Sequence, residues 1–181
     1  MNLIDVKSPA DLKGLSISEL TDLTAQARQA LMTKVSEHGG HFGPPMGAAE
    51  IIMALHYVFN SPVDKIVYDV SHQSYVHKMV TGRALAFLDH DHYDDVTGYT
   101  DPTESEHDFF NIGHTSTSIS LASGLATARN LKGDTENIIA IIGDGSLSGG
   151  EAFEGLDYAA TLNSNMIIIA NDNDQSIAEN H

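Results

Sequence analysis

The residues best equipped for chemistry lie between Ile138 and Asn173, in the stretch IIAIIGDGSLSGGEAFEGLDYAATLNSNMIIIANDN. One apolar run ends in Gly143-Asp144-Gly145 and a second ends in Asn171-Asp172-Asn173. Asp144 and Asn173 are 29 positions apart, yet each sits just beyond the end of a predicted strand. If the two strands are parallel neighbours, both side chains reach one crevice at the carboxyl edge of the sheet, where open α/β sheets bind ligands. A carboxylate beside an amide oxygen offers hard ligands to a magnesium ion that also holds phosphates. A backbone carbonyl near Gln175 could complete the protein's share of that metal site, and Gly145 lets the backbone approach a diphosphate. The pair therefore points to a diphosphate cofactor held through Mg2+. Two tight, capped turns are the plain alternative.

Other segments add to this crevice. Gly113-His114-Thr115-Ser116-Thr117-Ser118 places four hydroxyls in a row where a helix is expected to open, so they can cap free amides or bind an anion. Capping explains one or two of them but not the preceding Gly-His. His72, in Ser71-His72-Gln73, follows a predicted strand and can donate to a phosphate or a reacting oxygen. His41 is presented by the flexible turn Gly39-Gly40-His41-Phe42-Gly43. The run His90-Asp91-His92-Tyr93-Asp94-Asp95 has the residue types of a metal site, but its spacing fits none, and it reads as a solvated loop.

The elements that must position these residues follow from periodicity and punctuation. Ser16 and Glu19 form a capping box, and Leu20, Leu23, Ala27, Leu31 and Val35 recur at helical spacing, predicting a helix over 17–37 that stops at Gly39-Gly40. A loop is expected at 39–47 and a buried helix at 48–59, with Ile51, Ile52, Leu55, Val58 and Phe59 in the core. Strands are expected at 65–70, 138–142 and 166–170, with a short helix to Val80 and helices at 115–131 and 150–162. This alternation predicts an α/β fold, a doubly wound and mostly parallel sheet flanked by helices. Residues 82–113, rich in Asp and His, read as an irregular surface excursion.

The chain has 181 residues, enough for one domain or part of a larger one, and 41% are hydrophobic. It has no cysteine, which excludes disulfides and thiolate metal sites. No signal-peptide pattern opens it and no apolar run approaches the roughly 20 residues that span a bilayer, so a cytoplasmic protein with no membrane partner is expected. The formal net charge of −16 repels nucleic acid as well as anionic lipid, and most simply serves solubility. Against that field, a phosphate site needs a metal ion, helix N-termini or basic residues.

Taken together these segments resemble the thiamine-diphosphate enzymes of the transketolase group, and within it are most similar to the 1-deoxy-D-xylulose-5-phosphate synthases. The resemblance runs through SPADLKGLSISEL, GGHFG, ALHYVFNSPVDKIVYDVSHQSYVHKMVTGR, ESEHDFFNIGHTSTSIS, IIGDGSLSGGEAFEGLDYAA and NDN. It implies that residues 1–181 form the diphosphate-binding domain of that fold, incomplete, with thiamine diphosphate and Mg2+ as cofactors. It implies Asp144, Asn173 and Gln175 at the metal, and His72, His114, Thr115, Ser116, Gly145, Ser146 and Asn173 at the cofactor. His41 and His72 would be the catalytic pair, His41 lying near the reactive end. The implied reaction decarboxylates pyruvate and adds the two-carbon unit to D-glyceraldehyde 3-phosphate.

The resemblance also implies a homodimer and a pyrimidine-binding domain carrying an activating Glu. No such domain fits in 181 residues, so this piece of a longer protein is expected not to turn over by itself. The chain departs from the family at Pro44-Pro45, where small or Ser residues are usual, at Ser71, where Gly is usual, and before Glu-Ser-Glu, where a basic pair is missing. A subunit of a split transketolase using ketose phosphates, or a non-catalytic homologue, are the alternatives.

Overall fold

The computed structural model describes residues 1–173 in full, and residues 175–176 and 178–179 as backbone. Helix α1, Ile17–His38, starts on the expected capping box: the Glu19 amide donates to Ser16 Oγ (3.3 Å) and the Ser16 amide to the Glu19 carboxylate (2.8 Å). It ends at Gly39, whose φ of +88° suits glycine. The expected loop at 39–47 is partly helical, because Pro44 and Pro45 open a short helix α2, Gly43–Gly47, with φ preset for its first turn. Helix α3, Ala49–Val58, buries Ile52, Met53, Leu55 and His56. Val58 was expected in the core but is 63% exposed, since an apolar run that encircles a helix cannot put every face inward.

Strands β1 (Lys65–Tyr68), β2 (Ile138–Gly143) and β3 (Met166–Asn171) form a parallel sheet in the order β1-β2-β3. Tyr68 lies opposite Ile141, and Gly143 opposite Asn171. Alternate residues divide between two cores. Ile66, Tyr68, Ile139 and Ile141 pack with residues of α1 and α3, whereas Val67, Ile138, Ala140 and Ile142 pack with residues of helices Ser118–Lys132 and Gly150–Thr161. Burial on both faces explains why β2 reads as one apolar run. The α/β architecture matches the sequence expectation.

Between β1 and β2 lie α4 (Tyr75–Lys78), a wide turn at Met79–Arg83 kinked at Thr81 and Gly82, α5 (Leu85–Leu88), a 3-10 segment at His90–Asp95, and α6 (Ser118–Lys132). Helix α7 (Asp144–Leu147), α8 (Gly150–Thr161) and the short antiparallel pair β4 (Gln175–Ser176) and β5 (Ala178–Glu179) complete the chain. Among the described residues, no helix is long and apolar enough to cross a membrane.

The excursion at 82–113 is more than surface. Its first part is solvated as expected, with His92 paired to Asp95 and His38 to Asp94 on exposed side chains. Its second part is clamped to α4 and Arg83. Glu104 accepts from Lys78 Nζ (2.5 Å) and Arg83 (3.0 Å), and Asp108 takes a two-pronged Arg83 contact (2.8 and 2.9 Å). Two cations thus face two anions, so little net charge is buried. Asp108 also accepts from His77 Nε2 (2.7 Å), which leaves His77 Nδ1 to accept from His56 Nε2 (2.8 Å). Each ring stays neutral and donates once, and His56 Nδ1 ends the chain without a partner. Polarity brings 101–108 inward, whereas Ile112 and Phe110 pack into the second core, and periodicity carries no trace of the polar part.

Candidate functional site

All three strands of the parallel sheet end at one cavity of about 540 Å³. Asp69, Val70, His72 and Gln73 line it after β1; Gly143, the last residue of β2, is followed there by Asp144, Gly145 and Ser146; Asn171, the last residue of β3, is joined by Asn173. Thr115 and residues Gly43, Pro44 and Gly47 of α2 close it. The register that sets Gly143 beside Asn171 brings Asp144 and Asn173 to the same cavity. A smaller cavity of about 360 Å³, between residues 2–4, α1 and α5, has no titratable side chain among the described residues of its wall.

The wall after β1 is built against local preference. Val70 and Ser71 both adopt left-handed φ, +58° and +65°, and Ser116 does so at +71°. Such values are costly for residues with a Cβ, most of all a β-branched one, and persist where surrounding bonds impose them. Those bonds are visible. The Asp69 carboxylate accepts from the amides of Ser116 and Ser118 (both 2.9 Å), and Ser116 Oγ donates to the Ser146 carbonyl (2.7 Å). A Cβ at Gly149 would lie 2.0 Å from Ser116 Oγ, so only glycine lets that loop come so near.

Two buried polar atoms on the cavity wall, His72 Nδ1 and Gln73 Nε2, have no hydrogen-bond partner among the described residues. Burial, with the neighbouring His41, lowers the His72 pKa to about 4 despite Asp69, so it is uncharged at neutral pH. The wall therefore holds two carboxylates, Asp69 and Asp144, and no lysine or arginine among the described residues. His41 stands behind His72, ring centroids 5.4 Å apart and edge-on, and packs on Tyr99 (5.2 Å). Its amide donates to Tyr75 Oη (3.2 Å), and a Cβ on Gly40 would lie 2.8 Å from that oxygen. Burial lowers the His41 pKa as well, against the Gly98 carbonyl.

The geometry meets an independent observation. The family model described as 1-deoxy-D-xylulose-5-phosphate synthase matches residues 3–181. The chain belongs to the 1-deoxy-D-xylulose-5-phosphate synthase family. It is 51% identical over 178 residues to the 1-deoxy-D-xylulose-5-phosphate synthase of Caldanaerobacter subterraneus subsp. tengcongensis, covering 98% of this chain and 29% of that protein. It is 47% identical over 178 residues to the synthase of Pelotomaculum thermopropionicum (98% and 28%) and 50% identical over 175 residues to 1-deoxy-D-xylulose-5-phosphate synthase 2 of Geobacter sulfurreducens (97% and 28%). The chain thus spans less than a third of the length of these relatives.

In this member of the synthase family, the cavity gathers His72, Thr115, Asp144, Gly145, Ser146 and Asn173 from the residues singled out in the sequence. His114, Ser116 and His41 stand outside its wall. His114 Nδ1 contacts the Thr115 carbonyl (2.7 Å), and Ser116 is committed to Asp69 and Ser146. Gln175 opens β4, and its side chain lies outside the described residues. The hydroxyl run does not cap α6, which begins at Ser118, three residues later than expected; Asp69 supplies that acceptor instead. Asp69, Gln73, Tyr75 and Tyr99 are the site residues that sequence reasoning missed. Asp69 carried a signal: an acid ending an apolar strand is poorly placed for a core.

Proposed function

We propose that this chain is the diphosphate-holding part of a 1-deoxy-D-xylulose-5-phosphate synthase dependent on thiamine diphosphate and Mg2+. The carrying observation is the cavity at the strand ends, where Asp144 and Asn173 share a wall that has two carboxylates and, among the described residues, no lysine or arginine. A diphosphate enters such a wall only with a cation between. Among the described residues, no three His, Cys, Asp or Glu side chains are grouped to hold a metal. That suits a metal taking few protein ligands and the rest from phosphate and water. Asp144 and Asn173 would give side-chain oxygens to the metal, with a carbonyl near Gln175 completing the protein share.

The unpartnered His72 Nδ1 and Gln73 Nε2, with Thr115 and Ser146, supply polar contacts for the cofactor. His41, neutral at pH 7, is able to accept a proton beside His72. When bound, thiamine diphosphate supplies the electron sink for decarboxylating pyruvate and passing two carbons to D-glyceraldehyde 3-phosphate. The complete protein would add a pyrimidine-binding domain and assemble as a homodimer, and the 181-residue chain alone would not turn over. Calorimetry of the complete protein with Mg2+ and thiamine diphosphate, with Asp144→Ala as control, tests the site; equal binding by both proteins removes the metal assignment. Assay with pyruvate plus glyceraldehyde phosphate, against ketose-phosphate donors, tests the reaction.

A further inference from the structure

Ser71 is fully buried and carries a left-handed backbone, an unusual place for a residue with a Cβ. Its hydroxyl makes two bonds across the fold. Ser71 Oγ donates to the Ile112 carbonyl (2.9 Å) and accepts from the Thr100 amide (2.9 Å). Thr100 and Ile112 are themselves buried, and Thr100 Oγ1 adds a bond to the Phe110 carbonyl (2.8 Å). One hydroxyl thus closes the loop from 100 to 112 and fastens it beside His72. The residue before this tie, Tyr99, packs its ring edge-on to His41, which in turn packs edge-on to His72.

We propose that Ser71 is a positioning residue: by fixing the Thr100 amide it fixes Tyr99, and through Tyr99 it holds His41 against His72. This rests on reading the strand-end cavity as the thiamine-diphosphate site. Ser71 touches no reacting atom. Its effect falls on the His41 side of the pair, where the proposed function puts proton transfer to substrate, rather than on the metal side at Asp144 and Asn173. Glycine at this position would lose the tie but relieve the left-handed strain, whereas alanine would lose the tie and keep the strain.

The test compares Ser71→Gly and Ser71→Ala in the complete protein. Hydrogen exchange should show the Thr100 amide losing protection by at least about tenfold in both variants, because its acceptor is gone. Magnesium–thiamine diphosphate affinity should stay within about twofold, while KM for glyceraldehyde phosphate rises about fivefold with kcat changed less than about twofold. The glycine variant should melt no lower than the alanine variant while sharing its kinetic defect. An unchanged KM in the glycine variant despite lost Thr100 protection overturns the proposal. A defect confined to the alanine variant does the same, since strain would then be the cause. Wild-type protein that binds no cofactor in the same calorimetry overturns the reading of the site, and this proposal with it.

Discussion

The carboxylate of Asp69 and the amide of Ser118 are hydrogen-bonded at 2.9 Å across 49 positions of sequence. An acid at the end of the first strand thereby caps the helix that leads into the second. Its other oxygen takes the Ser116 amide and helps hold that residue at its left-handed φ. Asp69→Ala should leave two buried amides unpaired and cost about 3 kcal/mol, at roughly 1–3 for each orphaned donor. Asp69→Asn should cost less, because it keeps one acceptor. Urea unfolding measures both, and an unchanged midpoint for Asp69→Ala would show that water replaces the carboxylate. Thr115, adjacent to Ser116 on the cavity wall, should loosen with it, so cofactor affinity should fall alongside stability.

The strand-end pair makes a sharper demand. Asp144→Ala should weaken magnesium–thiamine diphosphate binding by at least about tenfold, equivalent to about 1.4 kcal/mol. Asn173→Ala should do so too, and Asn173→Asp should retain the metal because it retains an oxygen. Titration calorimetry of the complete protein distinguishes these outcomes. Equal loss from both Asn173 variants would argue for an amide N–H contact instead.

Much of this site is legible in the sequence because parallel strands end in register. The spacing of Gly-Asp-Gly and Asn-Asp-Asn depends only on two apolar runs and a helix of ordinary length, and such elements show in periodicity. The start of α6 was misplaced for the opposite reason. Ser116 has a left-handed backbone imposed by Asp69, a residue 47 positions away, and no local propensity encodes that bond. The clamp at Glu104 and Asp108 was hidden likewise. A motif of acids in an irregular segment looks solvated until the cations that face it, Lys78 and Arg83, are placed by tertiary structure.

Buried histidines should make the protein acid-sensitive well above the carboxylate range. Burial lowers the pKa of His77 to about 4 against the pull of Asp108, and burial with His77 as neighbour also holds His56 well below its ordinary range. Burial and His41 bring His72 to about 4. An unfolded histidine titrates near about 6.5, so below that pH the unfolded chain binds protons that the folded one refuses. Stability is therefore complete above about pH 6.5 and falls as pH drops toward about 4, by up to about 1.4 kcal/mol per unit for each buried ring. Partly exposed His72 contributes less. Urea midpoints at several pH values across that window should slope accordingly, and a flat profile would place these rings in contact with water.

The Arg83–Asp108 contact offers the most direct test of the clamp. Asp108→Asn removes the charge that faces Arg83 and one of the two oxygens that accept from Arg83 and His77. Breaking one side of a buried ion pair typically costs about 3–5 kcal/mol when the other charge is left uncompensated, and because Arg83 would then share Glu104 with Lys78, the loss should fall toward the low end of that range. Replacing both partners, Asp108→Leu with Arg83→Met, should recover part of that loss, because no unpaired charge remains. The double variant should nonetheless loosen the segment from 101 to 108, since of its charged fastenings only Glu104 with Lys78 remains, and backbone exchange should rise there while β2 and the Ser71-bonded Thr100 amide stay protected. Greater instability in the double variant than in Asp108→Asn would show that the pair is a net source of stability. In that case the clamp would be a foundation of the fold rather than a fastening for one loop.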